Sequence, residues 1–191
     1  RHMGGKFTVE ENARRLLRFF YFERRLSHAL GSWTLAIPEF EVKLETGRHI
    51  FYHADVAHTL RTRLNEQEIG LKTIDAYRDA EIDTFIEEML SAADAPELLA
   101  GVYQVAGRMI ATAYQHHIDD TCPVTDAPTI RAMKRILVDY GPMLEWADAG
   151  IAAYVDGGVD EDRLFAWRWH LQDLLKSIGG IAGADARCNP P

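Results

Sequence analysis

TVEENARRLLRFFYFERRLSHALG, residues 8–31, decides how this chain folds. Thr8 followed three residues later by Glu11 has the form of a capping box, in which hydroxyl and carboxylate satisfy each other's backbone N–H groups at a helix start. Gly31 supplies a natural stop. At 100° per residue, Leu16, Phe19, Phe20, Leu26 and Leu30 share one face, and Glu23 sits in its middle. The stretch predicts a long amphipathic helix that aims a carboxylate at the core.

The same period runs outward from it, and no segment shows the sustained alternation that a half-buried strand requires. Pro38 suits the first turn of a second long helix reaching about Gln67, with Gly70 closing it. Helices are expected over about 73–92 and 96–118, the latter capped by Asp94 with Pro96 in its first turn. The loop TCPVTDAP offers Asp126 as cap for a helix over about 128–155 that Pro142 should kink, and DGGVDED separates it from a last helix over about 160–178. The fold class is all-α, an antiparallel helical bundle with additional helices. Residues 4–180 read as one domain, 181–191 as a flexible tail and 1–3 as vector-derived.

A formal charge of -8 over 191 residues, without a basic run, excludes a nucleic-acid partner, which demands a clustered positive surface. No apolar run reaches the roughly 20 residues of a membrane span. Cys122 and Cys188 are too few for a disulfide framework or a cysteine-rich zinc site, so a reducing cytoplasm is the expected location. Phosphate-binding glycine loops and nucleophile motifs are also missing from the sequence, and no nucleotide cofactor is implied.

The second helix carries ETGRHIFYHADVAH, residues 45–58. Between the ends of its apolar stripe, Val42, Val56 and Leu60, lie Glu45, His49, Tyr52 and His53. An i, i+4, i+8 series lets Glu45, His49 and His53 converge on one point, as a metal or a substrate acid–base group requires. His58 falls on the opposite, solvated face. The third long helix presents Tyr103, Tyr114 and His117 inward, and the fourth presents Tyr140. Burying Glu23 and Glu45 without partners would cost several kcal/mol, so donors, a cation or raised pKa values are needed.

Long helices with a mid-helix Glu on the first and a Glu/His set on the second resemble the ferritin-like superfamily over about residues 8–155. More narrowly, GRHIFYHADVAHTLRTRL and DAPTIRAMKRIL look like an uncharacterised bacterial ferritin-like family. The resemblance implies a bundle holding two irons between carboxylates, with Glu23 as the first-helix ligand and the Glu45 to His53 region as the second-helix set. The pattern then departs. Spacing here is Glu-x-x-x-His, the third helix brings no inward Glu, and the fourth reads DYGPMLEW where Glu-x-x-His is expected.

Three readings follow. The first is a metal-free pocket in which Glu23, Glu45, His49 and His53 perform acid–base chemistry on a small organic molecule seated against Tyr52, Tyr103, Tyr114, His117 and Tyr140, with no cofactor. The second is one iron or zinc held by Glu23, Glu45, His49 and His53, driving an oxidation or hydrolysis. The third is a structural or interaction protein whose buried polar groups satisfy one another. A homodimer is compatible with each.

Overall fold

The computed structural model describes residues 7–183, all helices and connections, with no strand among them. Residues 1–6, including the expected vector segment, and 184–191 lie outside the described residues. Four long elements make the bundle: α1 (Val9–Trp33), α2 (Phe40–Glu66), a continuous run of α5 (Ala95–Leu99), a π-helical segment (Ala100–Gly107) and α6 (Arg108–Asp120), and finally α7 (Ala127–Asp156). Two shorter helices, α3 (Leu71–Ala76) and α4 (Ala80–Leu90), span the link between α2 and α5, and α8 (Glu161–Ser177) follows α7.

Side-chain pairs fix the directions. Asn12 bonds Thr121 while Glu23 bonds Tyr114, so α1 and α6 run antiparallel. Arg63 bonds Thr129 while His49 packs on Trp146, so α2 and α7 do too. With α1 and α2 joined by a short connection, the order is up, down, down, up, with one long crossover. The core they enclose includes Leu16, Phe19, Leu26, Leu60, Ile110, Met133 and Ala147. α4 packs on α1 and α8, and α8 packs on the π segment. None of the described helices is long and apolar enough to cross a membrane.

Two of the expected helix signals, Thr8 and Asp94, act as caps, and the others are displaced. Thr8 Oγ1 accepts from Glu11 N, and Asp94 caps the helix containing Pro96. Gly31 does not stop α1, which runs on to Trp33. Pro38 lies before α2, whose N-cap is Glu39. Glu68, at φ 67°, ends α2 instead of Gly70: its N–H reaches Asn65 O and Ile69 N–H reaches Leu64 O, the paired bonds of a Schellman turn. The helix expected over 73–92 is broken at Tyr77–Asp79, because Asp79 caps α4 through Ile82 N, and Arg24 and Arg78 take the freed carbonyls of Asp75 and Tyr77. α7 continues through Pro142 without interruption. Asp126 stands at its N-cap position, yet its carboxylate accepts from Asn12 and Thr121 instead of capping.

The expected flexible tail also needs correction at its start, since Ile181 and Ala182 are buried. Arg18 anchors this turn: its guanidinium donates to Gly180 O and Ile181 O and pairs with Asp79 at 2.8 Å. Arg18→Ala removes the cation beside the buried Asp79 carboxylate and the donor to two carbonyls, and should lower unfolding free energy by about 3 kcal/mol in urea titration. An unchanged midpoint would show that the C-terminal turn is not held this way.

Candidate functional site

Glu23 is wholly buried at the centre of the bundle. Its Oε1 accepts from the hydroxyls of Tyr114 and Tyr140, each at 2.6 Å, and its Oε2 lies 2.6 Å from His53 Nδ1. Three donors from α6, α7 and α2 thus surround one carboxylate. Such an acceptor count suits the ionised form, with His53 donating from Nδ1. Burial, and then the Glu23 charge, pushes both phenols well above the ordinary tyrosine range, so they stay protonated as donors.

His53 Nε2 is the other end of this system. It is buried, and no hydrogen-bond partner reaches it. When Nδ1 carries the proton, Nε2 carries a lone pair in the buried interior.

One turn earlier on α2, His49 Nδ1 lies 2.8 Å from the Tyr103 hydroxyl. Trp146 stands edge-on to both rings, 5.0 Å from the imidazole and 5.6 Å from the phenol. Burial, then the neighbouring His53 and Arg48, lowers the His49 pKa to about 4, so the ring is neutral at pH 7. Burial raises Tyr103 well above its ordinary value. Tyr103 sits within the π segment, whose small residues admit close neighbours: a Cβ on Gly101 would meet Leu171 and Met89 at 2.9 Å, and one on Gly107 would meet Leu144 at 2.9 Å.

Not every expected residue joins the centre. Glu45 is half-exposed and pairs with Arg48 at 3.1 Å, while Thr46 takes the buried position. α2 is therefore rotated so that Thr46, His49, His53, Val56 and Leu60 form its inner stripe. Tyr52 is half-buried, its ring 6.0 Å from that of His49. His117 is fully buried but apart from Glu23, stacked on Phe7 and edge-on to Phe19, with neither nitrogen hydrogen-bonded. Its pKa is lowered to about 4, first by burial and then by Arg15. Trp146 was not legible as an inward residue, although it sits one turn from Met143.

The geometry gathers the ligands of a metal poorly. Both Glu23 oxygens are taken by phenols and imidazole, and Glu45 faces Arg48. Among the described residues no three His, Cys, Asp or Glu side chains converge as an ion would need. Family models, characterised proteins and solved structures yield no match to this chain.

Glu23→Ala would strand two buried phenols and an imidazole, and should lower unfolding free energy by about 3–5 kcal/mol. Tyr114→Phe, which removes one donor of three, should cost about 1 kcal/mol. Equal, small losses for both in denaturant titration would show that Glu23 is not the hub.

His117 gives a pH dependence of known sign. Unfolded, it binds a proton near 6.5, and folded near 4. Between these values the unfolded chain holds more protons, so stability falls as pH drops from 6.5 to 4, by at most about 1.4 kcal/mol per pH unit. Stability of His117→Leu measured against pH should show a shallower slope over that window. Parallel curves would mean that His117 does not titrate this way.

Proposed function

We propose that this chain binds a small organic molecule inside its helical bundle and performs general acid–base chemistry on it at His53. The carrying observation is His53 Nε2, buried and unpartnered, with Nδ1 fixed on the Glu23 carboxylate. A carboxylate on one imidazole nitrogen sets the tautomer and makes the other nitrogen more basic, as in histidines poised for proton transfer. Once Nε2 takes a proton, the imidazolium faces Glu23, and the ion pair offsets the cost of holding that charge away from water. His49 stays neutral one turn away, so it does not oppose this charge.

The antiparallel order with one long crossover supports a ferritin-like scaffold. The dispersed donors support the reading that its two-iron site is incomplete. Tyr114 and Tyr140 then hold Glu23, the positioning residue of the base, and Tyr103 holds His49.

The test combines elemental analysis of protein purified without chelator with a thermal-shift screen of small aromatic and polyketide-like compounds. Ligands should raise Tm by several degrees, and His53→Gln, folded by circular dichroism, should lose that shift. Stoichiometric iron or zinc that disappears in His53→Ala would overturn the metal-free reading. Absence of both metal and ligand, together with a stability gain in His53→Leu, would reduce the cluster to a buried polar seam.

A further inference from the structure

A groove of about 530 Å³ runs between α2 and α7, a size that suits a small ligand. Val56 and Ile136 line it alongside charged and hydroxylated side chains. Because Arg63 meets Thr129 and His53 meets Tyr140, the antiparallel helices place Thr62 beside Arg131, His58 beside Arg135, and Tyr52 and Asp55 near Asp139. One end of the groove is therefore cationic, the other anionic.

These charges are not used up by the protein. Arg63 is engaged by Glu66 at 3.0 Å and by Thr129 at 2.8 Å. Among the described residues Arg131, Arg135, Asp55 and Asp139 form no ion pair, although Arg135 and Asp139 are one turn apart on α7. Arg131 and Arg135 are themselves at i, i+4, a spacing at which like charges repel, and Lys134 adds a third cation to the same turn. The groove's lining is balanced, three arginines against Asp55, Glu66 and Asp139, with Arg131 and Arg135 crowded at one end. A bound carboxylate relieves it, and guanidinium groups match carboxylate geometry with paired hydrogen bonds.

We propose that this groove takes a linear organic zwitterion, its carboxylate at Arg131 and Arg135 and its ammonium at Asp55 and Asp139. The inference goes beyond the acid–base reading: His53 is buried and is not among the residues that line this groove. Thr62 lies seven positions after Asp55, about 10 Å at 1.5 Å per residue. An ω-amino acid of up to eight carbons spans that length.

Isothermal titration with 4-aminobutyrate, 6-aminohexanoate, 8-aminooctanoate, octanoate and octylamine tests the assignment. At least one ω-amino acid should bind tenfold or more tightly than either singly charged probe, and added salt should weaken it. The surface variant Arg131→Ala/Arg135→Ala should lose at least tenfold. Asp55→Asn/Asp139→Asn should erase the preference over octanoate. No binding at millimolar probe, equal affinities across the probes, tightest binding of octylamine, or indifference to the arginine pair would each overturn the proposal. Intact probe binding beside a failed ligand screen at His53 would sink the chemical reading alone.

Discussion

A carboxylate without water must find its hydrogen bonds in the protein, and Glu23 finds three, one from each of three other helices. A buried charge of this kind strongly penalises any arrangement that leaves it bare. The consequence is geometric. Turning α2, α6 or α7 by one residue swings its donor through 100° and removes it from Glu23. Apolar contacts such as Phe19 against Tyr114 tolerate small slips, whereas bonds of 2.6 Å do not. The polar centre therefore sets the rotation of each long helix about its axis, and the surrounding apolar shell supplies most of the driving force.

The two histidines of α2 show how neighbouring positions acquire different chemistry. His49 and His53 are one turn apart on the same buried stripe, yet one faces a phenol and the other a carboxylate. A phenol offers no charge to balance an imidazolium, and burial holds His49 neutral with its pKa near 4. A carboxylate does offer that balance, so two imidazoles one turn apart sit in unlike surroundings, His49 against a phenol and His53 against a carboxylate. Tyr103, which holds His49, comes from the π segment, a rare geometry that often marks functional positions in helices. The glycines at 101 and 107 let α8 and α7 close on that segment.

Much of this was legible because it depends on local period and capping. The all-helical class, the Asp94 cap and the inward direction of Glu23, His49, His53, Tyr103, Tyr114 and Tyr140 follow from 100° steps and apolar spacing. Glu45 was misplaced because the stripe was centred between Val42 and Val56, while packing chose the side bearing Thr46, which buries at less cost than a carboxylate. The break at Tyr77–Asp79 needed Arg24 from a distant helix to receive the carbonyls, and helical spacing contains no such information. Likewise Arg18 reaches across 163 positions to seat Ile181, so a glycine-rich terminus that looks mobile is tied down at its start. His117 faced inward as expected, but the Phe19 ring lies beside both His117 and Tyr114, and two residues on one stripe need not share one site.

Register alone does not account for every atom in the centre. Well-packed apolar side chains of similar volume can match or exceed the stability of a buried ionic cluster, so stability alone does not call for one here. Here the carboxylate and the two phenols are enough to fix α1, α6 and α7, and one donor from α2 completes the set. An imidazole brings that donor and also a second nitrogen, which in a dry interior costs free energy if it meets nothing. A side chain with a single polar end would hold the same register without that penalty. The excess at Glu23 is one atom, His53 Nε2, which is buried without a hydrogen-bond partner as both nitrogens of His117 are.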